Sequence, residues 1–145
     1  MNPWLFRGEE VTPETLSPYF GFVYIITDIQ NGKKYVGQKQ IWFHRKVRGA
    51  TRRKRTESDW RSYFSSNEKL KMLAKEDCSR FRREILHLCR SKGEMNWKEI
   101  EEIVMRRALY SEEYMNDNIS GKYFRKNVSR YYADPDEAFN SINIH

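Results

Sequence analysis

Two short apolar runs, separated by a polar turn, make up residues 21–38, which read GFVYIITDIQNGKKYVGQ. Between the runs, Asn31 and Gly32 are residue types that accept positive φ at low cost, as the tight turn of a β-hairpin requires. Alternation along the first run separates two faces, one with Phe22, Tyr24 and Ile26 and the other with Val23 and Ile25. The pattern therefore predicts a hairpin with Tyr24 in its first strand and Tyr35 in its second, which ends near residues 41–42.

Apolar residues recur at the 3.6-residue spacing of a helix in two later stretches. The first begins at Ser58 or Asp59, breaks near residues 65–67, and predicts two short helices or one kinked helix. Its apolar positions are Trp60, Tyr63, Phe64, Leu70, Leu73 and Ala74. The second begins near Asn96, which can cap a helix. Its apolar stripe consists of Trp97, Ile100, Ile103, Val104 and Ala108.

The remaining segments lack helical periodicity or leave it ambiguous. Residues 81–89 read FRREILHLC, and the turn residues on both sides favour a strand, although periodicity alone also fits a helix. Residues 1–20 predict an irregular arm, and the amide-rich residues 114–121 predict a loop. Residues 122–132 interleave four basic and four aromatic residues, which suits base stacking or packing onto the core.

The chain length and charge bound the function. A chain of 145 residues predicts a single domain, with a core at about 20–121, an arm at 1–20 and a basic aromatic tail at 122–145. Its net charge of +7 predicts a polyanionic partner, nucleic acid ahead of an anionic membrane surface.

Residues 44–55 are the most basic stretch, with seven Lys or Arg and no acid. We expect the stretch to stay mobile until a phosphate backbone neutralises it. A solvated loop without a partner is the alternative. The predicted DNA contacts are Lys46, Arg48, Arg52, Arg53, Lys54 and Arg55.

Targeting signals and cysteine chemistry are not evident. No run approaches the roughly 20 apolar residues that span a bilayer, and the start lacks the pattern of a signal peptide, so we expect an intracellular protein without membrane partners. Cys78 and Cys89 make no disulfide framework and have no zinc-site spacing. His87 and His145 have no partner at metal or triad spacing.

The two strands of the predicted hairpin carry triplets that resemble the signature of the GIY-YIG endonuclease superfamily. These triplets are Phe22-Val23-Tyr24 and, after ten intervening residues, Tyr35-Val36-Gly37. The first triplet departs from the signature, but both tyrosines, their spacing and the final glycine are kept. A segment similar to that of phage and mobile-element members follows the basic stretch, at Trp60, Tyr63, Ser66 and Leu70.

The resemblance implies an α/β (α+β) fold, in which the hairpin and residues 81–89 form a three-stranded antiparallel sheet flanked by helices. It also implies a metal-dependent DNA endonuclease in a bacterial or phage-infected cell, with one divalent cation, Mg²⁺ or Mn²⁺. The family's metal-binding glutamate opens the helix after the third strand and corresponds to Glu99. Glu101 lies nearer the predicted apolar stripe, and Glu102 is expected to face solvent.

Further catalytic roles follow from the same resemblance. Tyr24 would orient or deprotonate the attacking water, and Tyr35 would position the scissile phosphate. Tyr63 occupies the place of the histidine that many members carry on the first helix. This departure leaves the general base open.

The arginine and the asparagine of the site have several candidates. Arg45 matches the family's arginine by its spacing from Tyr35, Arg61 matches it by its place on the first helix, and Arg48 is a further candidate. The site asparagine lies in the loop at 114–121, where Asn118 is favoured over Asn116.

Two other functions stay open at the level of sequence. The chain could be a non-catalytic nucleic-acid-binding protein that keeps the scaffold and the basic stretch, or a restriction-like or structure-specific nuclease. Homing members of the superfamily usually append a DNA-binding domain, for which this chain has no length. Target choice is therefore expected from the basic stretch, the tail, a homodimer or a separate targeting protein.

Overall fold

The computed structural model describes residues 2–46, 48–49 and 51–128, with the side chain of Arg45 outside the described part. The strands are β1 (Trp4–Phe6), β2 (Glu9–Glu10), β3 (Gly21–Asp28), β4 (Lys34–Gln40), β5 (Trp42–Lys46), β6 (Arg53–Glu57), β7 (Phe81–Cys89), β8 (Asn118–Ile119) and β9 (Tyr123–Phe124). The helices are α1 (Pro13–Leu16), α2 (Glu68–Glu76), α3 (Lys92–Met105) and α4 (Arg125–Val128). Single 3₁₀ turns occupy Trp60–Ser62 and Cys78–Arg80.

The main sheet has five strands in the order β2-β1-β7-β3-β4. Its centre is antiparallel, with β3 between β4 and β7, so the predicted α/β class and the three predicted strands are confirmed. The predicted count of three strands is too low, because β1 pairs in parallel with β7 and β2 pairs with β1. These two strands have three and two residues, too few to reveal an alternating pattern within the arm predicted to be irregular.

The β3–β4 hairpin is confirmed, although Asn31, unlike Gly32, does not have the positive φ expected of it. Gly32 has a φ of 77°, and the turn closes through a hydrogen bond of 2.7 Å from the Gly32 amide to the Asp28 carbonyl oxygen. The two predicted faces of β3 pack into different cores. Phe22, Tyr24 and Ile26 join a core with Trp4, Trp60 and Leu70, whereas Val23 and Ile25 join one with Met95 and Ile103 of α3.

The basic stretch is a hairpin rather than a loop in its described part, and its mobility in the absence of DNA stays a prediction. Its strands β5 and β6 pair antiparallel, and we call residues 42–57 the basic hairpin. The Trp42 indole donates a hydrogen bond of 3.1 Å to the Ser17 carbonyl oxygen. The Arg55 guanidinium stacks 3.6 Å from the Trp42 ring centroid and donates to the same oxygen at 2.5 Å. These contacts join the basic hairpin to the arm.

Helix α3 begins four residues before the predicted Asn96. Ser91 is its N-cap, since the Ser91 side chain accepts a hydrogen bond of 3.1 Å from the Glu94 amide. The predicted apolar stripe is also partly wrong, because Trp97 and Val104 are 61% and 56% exposed. The face of α3 that packs on the sheet contains Ile103, as predicted, and Met95, which the predicted stripe left out.

The segment predicted as two short helices or one kinked helix is a 3₁₀ turn followed by α2. The break falls at residues 63–67, where Asn67 caps α2 by accepting a hydrogen bond of 3.0 Å from the Leu70 amide. Within the residues that the structure describes, no helix is long and apolar enough to cross a membrane.

Candidate active site

Three tyrosines meet on one side of the sheet. The Tyr24 side chain of β3 is 1% exposed, and its ring centroid lies 6.4 Å from that of Tyr35 and 5.9 Å from that of Tyr63. Tyr24 and Tyr63 share a side-chain hydrogen bond, and the Tyr35 hydroxyl lies 3.4 Å from the Ser66 hydroxyl. The two tyrosines predicted from the hairpin are thus brought together, and Tyr63 joins them.

Burial keeps these phenols protonated at neutral pH. Burial raises the pKa of Tyr24 well above its usual value, and the neighbouring Tyr63, Tyr35 and Glu99 raise it further. Burial likewise raises the pKa values of Tyr35 and Tyr63, although hydrogen bonds with Ser66 partly oppose both shifts. The three hydroxyls are therefore hydrogen-bond donors at neutral pH.

Gly37 makes room for the ring of Tyr24. The two residues lie opposite each other on β3 and β4. A Cβ atom on Gly37 would lie 2.4 Å from the Tyr24 hydroxyl oxygen and 2.5 Å from its Cζ. It would also lie 3.0 Å from Cε1 of Tyr35. The glycine of the second triplet is therefore required by the position of the first-strand tyrosine.

Glu99 lies in a polar cleft of about 400 Å³ between α3, β4 and the loop that follows α3. It is four residues from both Met95 and Ile103, so the buried stripe of α3 turns its carboxylate toward the sheet. Burial raises the pKa of Glu99 to about 7. Among the described residues, Glu99 has no hydrogen bond or ion pair that would offset this burial. The cleft also contains Tyr35, Gly37, Gln38, Ser66, Asn116, Asp117 and Asn118.

The other two glutamates of α3 are placed differently. Glu101 lies 3.8 Å from the Lys98 ammonium, in a partly exposed ion pair. Glu102 was expected to face solvent, but it is largely shielded and accepts hydrogen bonds of 2.7 Å from His87 and 2.8 Å from Arg106. These two partners lower the pKa of Glu102 against the opposing effect of burial. The expectation failed because His87 lies on β7, which helical periodicity does not take into account.

The two candidate asparagines both line the cleft but make different contacts. The Asn116 side chain is buried and makes two hydrogen bonds with the backbone of Val36. Its Oδ1 accepts from the Val36 amide at 2.9 Å, and its Nδ2 donates to the Val36 carbonyl oxygen at 2.8 Å. It therefore fixes β4 between Tyr35 and Gly37. Asn118 accepts a hydrogen bond of 2.9 Å from the Gly121 amide, a turn-forming contact. The catalytic role of Asn118 stays a prediction.

Of the predicted arginines, Arg48 and Arg61 do not line the cleft, and the side chain of Arg45 lies outside the described part of the structure. Arg61 donates to the Glu57 carboxylate at 3.0 Å, and its guanidinium lies 5.0 Å from the Trp60 ring centroid. Arg48 is exposed near the tip of the basic hairpin. A lysine lies beside the third tyrosine, since the Lys39 ammonium is 4.2 Å from the Tyr63 ring centroid and 2.5 Å from the Asp59 carboxylate.

The predicted DNA contacts divide into two groups. Arg55 is held between Trp42 and Ser17, at the base of the basic hairpin. The other side chains are exposed on the hairpin, and they are Lys46, Arg48, Arg52, Arg53 and Lys54.

The sequence patterns did not identify Arg83, a buried residue that holds the backbone of the segment carrying Tyr63. Its side chain is 2% exposed and donates hydrogen bonds to the carbonyl oxygens of Arg61 at 3.0 Å, Tyr63 at 2.8 Å and Asn2 at 2.6 Å. Its guanidinium also lies 4.4 Å from the Phe64 ring centroid. Burial lowers the pKa of Arg83 to about 10. No local signal marks this residue, because its three acceptors come from two distant segments.

Replacing Arg83 with methionine should destabilise the fold by about 2 kcal/mol, because three carbonyl oxygens lose their donor. Urea denaturation measures this difference. The control is Arg82→Met on the same strand, where an exposed ion pair with Glu84 should contribute less than about 0.5 kcal/mol. An Arg83→Met protein as stable as the control would show that these oxygens find other donors.

Fold and site together define a class of protein. A hairpin that presents one tyrosine from each strand, a glycine that admits the first tyrosine, and a helix that turns a glutamate toward them form a GIY-YIG nuclease domain. The family model described as "Putative endonuclease segE, GIY-YIG domain" matches residues 4–128. The chain therefore belongs to the GIY-YIG endonuclease family. No curated protein and no solved structure gave a significant match.

Proposed function

We propose that this protein hydrolyses phosphodiester bonds of DNA with one divalent cation, Mg²⁺ or Mn²⁺, bound by Glu99. The observation that carries the proposal is the carboxylate of Glu99, which is partly buried opposite Tyr35 and whose pKa burial raises to about 7. A cation would compensate this unpaired charge. Within the described part of the chain, no group of three or more His, Cys, Asp or Glu could hold a metal ion.

A single carboxylate suits Mg²⁺, which keeps much of its hydration shell and also binds phosphate oxygens. When bound, the cation would stabilise negative charge on the phosphate in the transition state. The cleft has polar side chains around Glu99 from β4, from residues 66–67 and from the loop at 116–120, so phosphate oxygens and water can be accommodated beside the carboxylate.

The tyrosines would act as donors. Because burial raises the pKa of Tyr24, its hydroxyl supports the role of orienting the attacking water rather than that of removing its proton. Tyr35, held by Ser66, would donate to an oxygen of the scissile phosphate. Tyr63 contacts Tyr24 from the other side and would fix the direction of its hydroxyl. The guanidinium of Arg45 or Arg61 would neutralise negative charge on the phosphate. The side-chain amide of Asn118 would contact the same phosphate.

A plasmid-cleavage assay tests the proposal. We expect the wild-type protein to cut or nick plasmid DNA in Mg²⁺ and to leave it intact in EDTA. Glu99→Ala should reduce the rate by about a thousandfold, since charge stabilisation at the phosphate is lost. Glu101→Ala, which removes the same charge from a partly exposed ion pair on the same helix, should retain the wild-type rate within about twofold. DNA that is retarded on a gel but uncut in every lane would instead indicate a nucleic-acid-binding protein without catalysis.

A further inference from the structure

The basic hairpin has the size of an element that enters a DNA groove. Strands β5 and β6 form a two-stranded sheet separate from the main sheet. Five residues in a strand extend about 17 Å, and paired strands lie about 5 Å apart. The major groove of B-DNA is about 12 Å wide and admits a two-stranded ribbon of this kind. From residue 43 to residue 56 the sequence contains no acidic residue that phosphates would repel.

Positive charge lies on both faces of this ribbon. Lys46 pairs with Arg53 across the strands, whereas Lys54 pairs with position 45. Residues paired across strands share a face, and neighbours along a strand take opposite faces. Lys46 and Arg53 therefore lie on one face and Lys54 lies on the other, and all three side chains are exposed. A ribbon that lies on the outside of one DNA strand contacts phosphates with one face only. A ribbon that lies in a groove is flanked by the phosphate backbones of both strands, so both of its faces can contact phosphates.

The base of the ribbon is fixed next to the cleft. The Ser58 hydroxyl donates to the Gln40 carbonyl oxygen at 2.6 Å, and the Ser58 amide donates to the Ile41 carbonyl oxygen at 2.8 Å. The Lys39 ammonium lies 5.9 Å from the Phe43 ring centroid of β5 and 4.2 Å from that of Tyr63. DNA held by the ribbon would therefore sit at a set position relative to the tyrosines.

We propose that the basic hairpin inserts into the major groove of double-stranded DNA and holds the duplex in register with the Glu99 cleft. This inference rests on the proposed function, and it specifies that the DNA which the protein hydrolyses is an intact double strand. The phosphates of both strands contact the hairpin, Lys46 and Arg53 on one side and Lys54 on the other.

Salt titrations of duplex binding test the use of both faces. Each titration uses protein that carries Glu99→Gln, in EDTA, so that the DNA stays intact. Lys46→Ser and Lys54→Ser should each reduce the slope of log affinity against log salt by about one. The control is Lys69→Ser, which removes an equal charge from an exposed position on α2 and should leave the slope unchanged. An effect of one face alone would overturn groove insertion.

Groove-specific ligands provide the second measurement. Duplex saturated with methyl green, which fills the major groove, should bind the protein about tenfold more weakly, whereas netropsin in the minor groove should change the affinity less than about twofold. Duplex binding that resists methyl green would overturn groove insertion and leave the proposed hydrolysis standing. Wild-type protein that binds duplex but does not cut it in Mg²⁺ would overturn the proposed function alone. Protein that binds no duplex would overturn both.

Discussion

Replacing Glu99 with glutamine should stabilise the protein at about pH 8 by up to about 3 kcal/mol in the absence of divalent cations. Burial raises the pKa of Glu99 from 4.5 to about 7, so between these values the folded protein holds a proton that the unfolded chain has released. The free energy of unfolding attributable to Glu99 therefore falls as pH rises through this window and is constant above it. Glutamine keeps the shape of the side chain and carries no charge, so the variant avoids this loss.

Urea denaturation of both proteins in EDTA at about pH 5 and about pH 8 measures the effect. The difference between the two proteins isolates Glu99 from other groups, such as Glu102, whose lowered pKa acts in the opposite direction. Glu101→Gln is the matched control, and loss of this partly exposed ion pair should shift stability by less than about 0.5 kcal/mol at either pH. Equal stability of the Glu99→Gln and wild-type proteins at both pH values would contradict the burial of an unpaired carboxylate.

The same pair of proteins tests the proposed metal site without an activity measurement. Mg²⁺ added at about pH 8 should raise the denaturation midpoint of the wild-type protein, because a ligand that binds the folded state stabilises it. The gain should shrink at about pH 6, where the proton on Glu99 competes with the cation. Glu99→Gln should show no gain at either pH. A gain of equal size in both proteins would place the cation elsewhere.

Replacing Gly37 with alanine should destabilise the protein by about 3 kcal/mol and abolish DNA cleavage. The new Cβ atom would overlap the Tyr24 hydroxyl oxygen and Cζ at 2.4 and 2.5 Å. The Tyr24 ring is 1% exposed and packs edge-on against Trp4 and Phe22, so it cannot move aside without disturbing the core. Denaturation midpoints and plasmid cleavage measure the two effects.

Gly93→Ala is the matched control for this substitution. Gly93 lies in the first turn of α3, where an added Cβ would meet no atom within 4 Å. Alanine there should stabilise the protein by about 0.5 kcal/mol, because it favours the helical backbone. If Gly37→Ala retained wild-type stability and cleavage, the close approach of Tyr24 to β4 would not be what requires a glycine.

Rules based on neighbouring residues predicted the fold correctly in segments whose structure depends mainly on their own sequence. The turn at Asn31 and Gly32 and the alternation along β3 are properties of neighbouring residues, so the hairpin and its two faces were predicted correctly. Helix α3 shows the limit of such rules. Ser91 and Glu94 form a capping signal, but Gly93 between them reads as a helix breaker, and the predicted start moved to Asn96. Gly93 nevertheless lies in the first turn of the helix, and Met95, two residues later, packs against Val23 and Ile25 of the sheet.

The rest of the site depends on contacts between residues that are far apart in the sequence. Such contacts leave no local sequence pattern from which they could be predicted. The acceptors of Arg83 lie 20, 22 and 81 positions away along the chain. The basic hairpin looked like a self-repelling loop, because its anchor at Ser17 belongs to the arm. The exposure of Trp97 and the pairing of Glu102 with His87 depend on how α3 lies across β7. Placing Glu99 from the sequence required the family resemblance as well as its position on the helix.

The bonds between Asn116 and Val36 join residues 80 positions apart, and they have a consequence for when the cleft forms during synthesis. A growing chain presents Tyr24 and Tyr35 early, but the loop that fixes β4 beside Glu99 emerges only after most of the domain has been made. Contacts of such long sequence separation form late, since the intervening chain must first be ordered. The nascent polypeptide therefore lacks a finished cleft until the loop at residues 116–120 has left the ribosome.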